Sequence, residues 1–343
     1  MLELDGSYGE GGGQILRTAL SLAALLGQPV RMANIRAGRS KPGLRAQHLT
    51  AVTALAQITR AEVTGAELHS REITFRPRAP QPGTYIFDVA AKTGSAGSAT
   101  LITQALLPPL LSAGRSSTLI IKGGTHVPWS PPAQYLLYVF LPALAQLGAE
   151  VTMTLGRWGW YPRGGGEIRV EITPSRGLKG VEWLTPPDAG SFRALSAAAG
   201  LPDHVRHRQA QRLKERLGQD LPLEVMAATG LDRGSLVFLW GPQAGFSSLG
   251  ARGKPAERVA DEVADAYLSF RTRHGAVDRH LADQTVLYLA LAQEPSRIIT
   301  QEVTLHLLTN LWVIEQFLGP IFQVQGALGE RGEISCRGRA LGS

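Results

Sequence analysis

Cysteine is nearly absent from this chain. Cys336 stands alone among 343 residues. An intrachain disulfide is therefore excluded, and so is a zinc site built on several thiolates. Such a chain suits a reducing cytoplasm. Charge is also sparse, at 18% of residues, yet the hydrophobic share of 44% is that of a globular protein and not of a disordered one. No apolar run is long enough to cross a bilayer. The best candidate, 99–113, is interrupted by Gln104, Pro108 and Pro109. The first residues include Glu3 and Asp5 and show no signal-peptide pattern, so a cytoplasmic protein without membrane attachment is expected. Two common catalytic signatures are missing as well. No His-Glu-x-x-His helix is present, His204 and His207 lack a further convincing metal ligand, and no Gly-x-Ser-x-Gly elbow occurs.

Glycine and positive charge are plentiful instead. The net charge of +7 and pI near 9.8 favour an anionic partner without identifying it, since many basic proteins bind no nucleic acid. Both features concentrate near the start. Asp5-Gly6-Ser7-Tyr8-Gly9-Glu10-Gly11-Gly12-Gly13-Gln14 opens onto an apolar helix. Glycines let backbone N–H groups converge, and the helix N-terminus adds positive potential, so a phosphate, a nucleotide or an RNA end is the expected guest. The run is neither a P-loop nor a complete dinucleotide fingerprint, and a glycine run alone is more often a turn. Its company raises it: Arg17, Arg36, Arg39, Lys41 and Arg45 lie downstream. Pro42-Gly43 should start the next helix, close to that cluster. Glu10 is the lone carboxylate, and reads either as a salt-bridge partner or as a ligand holding a divalent ion against phosphate oxygens.

The chain repeats one pattern three times. The first unit reads helix (about 12–26), strand Val30–Ile35, helix (about 43–58), strands Ala61–Val63 and Ile73–Arg76. The second adds an opening strand Tyr85–Val89, then helix (about 98–112), strand Ser117–Lys122, helix (about 132–147), strands Glu150–Leu155 and Gly166–Ile172. The third reads helix (about 278–293), strand Arg297–Gln301, helix (about 303–318), strands Ile321–Gln325 and Gly332–Arg337. Two helices on one face of a small sheet bury each unit's apolar side, and three units can pack helix-inward. Residues from about 180 to 275 break the pattern. They hold a basic helix (about 203–217), strands Leu223–Ala227 and Ser235–Trp240, and a helix (about 255–271). The expected architecture is α/β (α+β): a large domain from 1–179 and 276–343, with a smaller α/β domain, 180–275, inserted. The basic helix reads as a solvated face more readily than as an RNA contact.

In the third unit, His306 begins a helix within His306-Leu307-Leu308-Thr309-Asn310. By spacing alone it reads as a satisfied core residue. By the repeat frame it sits where the first unit has just passed Arg39 and Lys41. Rough threefold symmetry would bring the starts of the second helices together.

These residues resemble the RNA 3′-terminal phosphate cyclase family over nearly the whole chain. The matching stretches are Leu4-Asp5-Gly6, Gly9 to Arg17, Arg36-Ala37-Gly38-Arg39, Lys41-Pro42-Gly43-Leu44, Gln47-His48-Leu49, Gly94-Ser95-Ala96-Gly97-Ser98, Gly123-Gly124-Thr125, Tyr161-Pro162, Gly164-Gly165-Gly166, Leu281-Ala282-Asp283-Gln284 and the His306 motif. The resemblance implies three two-helix, four-stranded units plus the insertion. It implies conversion of an RNA 3′-phosphate to a 2′,3′-cyclic phosphodiester with ATP and a divalent metal, Mg or Mn. It further implies His306 as the nucleophile that becomes adenylylated, and Glu10 as the metal ligand. Arg17, Arg36, Arg39, Lys41 and Gln47 surround phosphates or the RNA end. Gln104, Pro131, His280, Leu281, Ala282, Asp283 and Gln284 form the adenylate pocket, with Phe246 stacking on adenine. His280 stands where the family pattern leads one to expect tyrosine. Two other classes compete: a non-catalytic relative acting in ribosome assembly, which would lack the histidine, and an enolpyruvyl transferase, whose motifs are not found.

Overall fold

A computed structural model describes residues 1–89 and 97–339. Gly94, Ser95 and Ala96 of the second glycine motif lie outside the described residues. The first unit comprises β1 (Leu2–Asp5), α1 (Gly13–Leu26), β2 (Val30–Ala33), α2 (Ala46–Thr59), β3 (Glu62–Thr64) and β4 (Ile73–Arg76). The second comprises β5 (Thr84–Asp88), α3 (Ala99–Leu111), β6 (Ser117–Gly123), α4 (Ala133–Tyr135), a π-helical segment Leu136–Phe140, α5 (Leu141–Gln146), β7 (Val151–Arg157) and β8 (Gly166–Ile172). After β9 (Glu182–Trp183) comes a smaller α/β unit. It holds β10 (Arg193–Ala199), α6 (His204–Leu217), β11 (Leu223–Ala227), β12 (Gly234–Gly241), β13 (Ala244–Leu249) and α7 (Ala256–Arg273). The third unit adds α8 (Arg279–Ala290), β14 (Ser296–Thr300), α9 (Leu305–Leu318), β15 (Phe322–Gln325) and β16 (Gly332–Cys336).

Three sheets share one topology. Their orders are β1-β2-β4-β3, β5-β6-β8-β7 and β9-β14-β16-β15. In each, the first strand pairs in parallel with the second, and the remaining pairs are antiparallel. The strand Glu182–Trp183 lies within the stretch 180–275 that the sequence suggested for the insertion, yet it pairs with β14. The smaller unit proper begins after it. The fourth sheet, β11-β10-β12-β13, has a different order.

The helices of the three units face one another. Ile15, Leu16, Leu20, Leu22 and Ala23 of α1 are fully buried, and α1 packs against α2, α3 and α9. Ser21 fixes one crossing by donating from Oγ to the Ala105 carbonyl at 2.8 Å. Strand burial alternates, as in the Ser117–Gly123 strand, so each sheet gives one face to this core. The smaller unit has a second core of Phe192, Leu213, Val237, Leu239, Phe246 and Phe270.

Arg208, Arg212 and Arg216 recur every four residues on α6, and Glu257, Asp261 and Asp265 recur likewise on α7. The two rows meet. Arg208 Nε lies 2.6 Å from Glu257, Arg212 Nε 2.8 Å from Asp261, and Arg216 Nη2 2.7 Å from Asp265. The arginines of the basic helix are therefore neutralised within the unit. Exposed pairs of this kind contribute roughly 0–1 kcal/mol each.

Candidate active site

The glycine loop connects β1 to α1 through tight turns. Asp5 Oδ1 accepts from Ser7 N at 2.9 Å, Ser7 Oγ at 2.7 Å and Asn34 Nδ2 at 3.2 Å, and the Ser7 bonds pull the Asp5 carboxyl below its usual range. Gly9 and Gly11 both adopt φ of 58°, which a side chain would disfavour. At Gly9 a β-carbon would also run into Thr309 Oγ1 of α9. Glu10 N donates to that same oxygen at 3.2 Å. Tyr8 stacks on Trp312, also of α9, at 3.9 Å between ring centroids. The loop is thus seated on α9. Gly12 is the N-cap of helix α1, which has no side-chain cap and no acid in its first turn, and the Glu10 carboxylate and Arg39 guanidinium both lie against Gly12.

The cations come from α1, α2 and the loop between β2 and α2. Arg39 forms an ion pair with Glu10. Arg17 is half-buried, and the surrounding protein draws its guanidinium down to about 10, with Asp283 opposing that shift. His48, on the first turn of α2, fills the space where a Gly13 β-carbon would sit. Burial, then Arg17, Arg36 and Arg45, hold His48 near 3, so it is neutral. Arg36 donates to the Lys41 carbonyl at 2.7 Å and the Gly43 carbonyl at 2.9 Å, closing its own loop. Lys41 is exposed. Gln47 Oε1 accepts from Ser98 N at 3.3 Å, tying the start of α2 to that of α3.

Thr304 caps α9 by accepting from Leu307 N at 3.0 Å, and His306 follows in the first turn. Its Nδ1 lies against Glu10 Oε2. Glu10 therefore sits between Arg39 and His306. The His306 ring is half-exposed, not a core residue. Burial and then Arg17, Arg39 and Arg279 lower its pKa, against the opposing pull of Asp283. The imidazole is neutral at neutral pH. Nδ1 touches the Glu10 carboxylate without a well-aligned hydrogen bond. Helix α9 is fastened below by Asn310, which accepts from Thr18 Oγ1 at 2.7 Å and donates to the Asp283 carbonyl at 2.8 Å.

The stretch His280–Gln284 opens α8. Asp278 caps it, accepting from His280 N at 2.7 Å, Leu281 N at 3.0 Å, Gly245 N at 2.9 Å and Tyr135 Oη at 2.9 Å. Burial raises Asp278 to about 6 and Asp283 to about 7. His280 is lowered to about 4 by surrounding protein, Arg279 and His306. Gln284 accepts from Gln104 Nε2 of α3 at 2.6 Å. The Pro131 carbonyl accepts from Thr100 Oγ1 at 2.8 Å. Leu281 and Ala282 are core side chains, wholly buried.

Phe246, expected to stack on adenine, is 6% exposed. Its ring packs with Phe192, Tyr267 and Phe270 inside the smaller unit. Strand alternation explains this, because Gly245 points at Tyr135 and Val139 while Phe246 takes the opposite face. The starts of α2 and α9 both meet the glycine loop, and the start of α4 is joined to them through Thr100, Ser98 and Gln47. Sequence reasoning missed Asp278, although an Asp just before an apolar helix is a cap signal. It also missed the Thr18–Asn310 and Tyr8–Trp312 contacts, which no local pattern encodes.

The site gathers a glycine loop, several cations and one carboxylate around a half-exposed histidine. Comparison with known proteins makes that specific. The family profile described as RNA 3′-terminal phosphate cyclase matches residues 8–324, and the chain belongs to that family. A protein of that name from Gloeothece citriformis is 47% identical over 92% of this chain and 93% of its own length. One from Pyrobaculum neutrophilum is 44% identical over 95% of each. Among solved structures, an EPSP synthase from Acinetobacter baumannii gives a TM-score of 0.31 at 14% identity, over 94% of this chain and 62% of that one. That likeness is too slight to bear on function.

Proposed function

We propose that this protein converts an RNA 3′-terminal phosphate into a 2′,3′-cyclic phosphodiester, using ATP through an adenylyl-histidine. The observation that carries the proposal is His306, half-exposed and in contact with Glu10, beside Arg39 and the start of α1. Membership of the family and the near-full-length relatives support the same reading.

In this reading His306 Nε2 attacks the α-phosphorus of ATP and pyrophosphate leaves. The resulting phosphoramidate keeps the nucleotide activated. The Glu10 carboxylate, lying against the ring, supports the positive charge that grows on it during attack. An oxygen of the RNA 3′-phosphate then takes the AMP from His306, regenerating neutral imidazole. The adjacent 2′-hydroxyl attacks the 3′-phosphorus, loses its proton, and expels AMP. The nucleophile and the phosphorus share one ribose, so this last step needs mainly positioning. Arg39, Arg17 and the α1 N-terminus offset the crowding of negative charge throughout. Gln104, Gln284, Pro131 and the start of α8 are the residues offered to the adenylate.

A divalent ion, Mg or Mn, fits this donor set only in one way. Among the described residues no three His, Cys, Asp or Glu side chains gather as a metal site. Glu10, whose oxygens face Arg39 and His306, is the carboxylate that would hold such an ion, and the ion would supply charge neutralisation at the transferring phosphoryl group.

The test is incubation with α-labelled ATP and metal. Label should appear on the protein with the acid-labile, alkali-stable character of a phosphoramidate, and His306→Ala should abolish it. Label persisting in that variant would defeat the assignment.

A further inference from the structure

Trp129 is 98% exposed, on the loop between β6 and α4. Its backbone adopts φ of 58°, an unfavourable region for a bulky residue. No contact among the described residues uses the indole. Yet the loop that carries it is braced along its length. Thr125 N and His126 N both donate to the Gly159 carbonyl at 2.9 Å. Ser130 Oγ donates to the Val127 carbonyl at 3.0 Å, and Thr100 holds the Pro131 carbonyl. A strained, rigid backbone that presents one fully exposed indole points to a ligand for that ring.

The brace is aromatic. His126 packs against Trp158, at 4.2 Å, and Trp160, at 4.7 Å, which themselves stack at 5.6 Å. Its ring nitrogens meet Thr125 Oγ1 at 2.7 Å and Gln134 Oε1 at 2.5 Å. Burial holds His126 near 3, so this stack is uncharged. His126 also forms a β-bridge with Trp160, which places Tyr161, itself 65% exposed, beside the base of the Trp129 loop. Three residues separate Trp129 from His126, a reach of at most about 11 Å. Arg157, exposed at the end of β7, stands at the same end of the sheet, with no ion pair among the described residues.

The position relates this surface to the phosphate site. Ala99 N donates to the Gly124 carbonyl at 2.8 Å, and Ser98 N donates to Gln47, next to His48. The Trp129 loop thus starts against the residues that tie α2 to α3 and ends at Pro131.

We propose that Trp129, seconded by Tyr161 and Arg157, is a nucleobase platform that holds unpaired bases of the RNA strand upstream of the reacting end. This rests on the RNA reading above. Isolated rings with a nearby free cation suit single-stranded nucleic acid, whose bases stack one by one while cations track the backbone. A protein partner would require a contiguous patch, and Pro128 and Ser130 on either side do not extend one.

The experiment compares wild type, Trp129→Ala and Trp129→Phe for binding an unpaired 3′-phosphorylated RNA of about eight nucleotides, and the same RNA blunt-paired to its complement. Trp129→Ala should weaken single-strand binding about 5- to 150-fold. Trp129→Phe should restore most of it, and duplex binding should change little. Equal single-strand affinity in wild type and Trp129→Ala overturns the platform, even if the wild type cyclises RNA. A fall in apparent mass of Trp129→Ala without RNA, in place of an affinity change, also overturns it and assigns the ring to self-association. If the wild type neither labels from ATP nor cyclises, yet Trp129→Ala loses single-strand binding, the platform stands and the cyclase reading fails.

Discussion

Gly9→Ala probes how the glycine loop is seated on the helix that carries His306. Two costs can be read from the structure. The backbone at φ of 58° disfavours any L side chain by about 1–2 kcal/mol. The new β-carbon would also overlap Thr309 Oγ1, with Thr309 Cβ at 3.2 Å and Cγ2 at 3.4 Å. Overpacking of this kind costs about 1–3 kcal/mol. If the loop stays in place, the total is about 2–5 kcal/mol. If it lifts instead, Glu10 leaves His306, and labelling falls more than stability does. Thr309→Ala alone removes the acceptor for Glu10 N, a loss of about 1 kcal/mol. Combining the two relieves the overlap but leaves the φ strain. The double-mutant cycle should show favourable coupling of about 1–3 kcal/mol, and the double variant should recover part of the labelling rate. The assay is urea unfolding of all four proteins alongside initial rates of labelling from ATP. Strictly additive stabilities, within about 0.5 kcal/mol, would refute the argument that Gly9 exists to admit Thr309.

Other outcomes follow from the same geometry. Burial lifts the folded Asp283 carboxyl to about 7 from its ordinary 3.8, so the native state holds a proton that the unfolded chain has released. Stability attributable to Asp283 is complete below about 4 and is lost as pH rises towards 7. Asp283→Asn should therefore gain melting temperature relative to wild type between pH 4 and pH 7, with no further change above; a pH-independent difference would contradict this. Phe246→Ala should destabilise by about 3–5 kcal/mol, whereas Phe246→Leu should fold with an unchanged KM for ATP. A raised KM in a stable Phe246→Leu protein would restore the stacking role. Arg39→Ala with Lys41→Ala should flatten the salt dependence of single-stranded RNA binding by about 0.7 in slope for each phosphate the pair neutralises, and identical slopes would remove both from the RNA path.

Periodicity made much of the fold legible. Ile73–Arg76, Gly166–Ile172 and Leu223–Ala227 are strands with the bounds that alternation suggested. Short or small-residue strands were silent. Arg193–Ala199 is mostly alanine and leucine, a composition that favours a helix in isolation, and becomes a central strand because β11 and β12 flank it. Glu182–Trp183 has only two residues, too few to alternate. The helix expected over 132–147 is continuous, but its middle turn is π-helical, a local change invisible to a 3.6-residue pattern.

The site divides the same way. The crowding of Arg17, Arg36 and Arg39 near a glycine loop was readable because those residues are close in sequence. His306 was not readable by spacing, since its contact with Glu10 spans almost the whole chain. The family motif supplied it. Phe246 lies buried because strand parity decides which face a residue takes.

The central claim is that the nucleotide on His306 is an intermediate that drives ring closure. It is tested by isolating the labelled protein, removing free ATP, and adding a 3′-phosphorylated RNA in a single turnover. The account predicts that label leaves the protein as AMP while an equal amount of RNA acquires a 2′,3′-cyclic end. Label that stays on His306 while RNA remains a 3′-phosphate, or a cyclic end that forms at the same rate with His306→Ala, would contradict it.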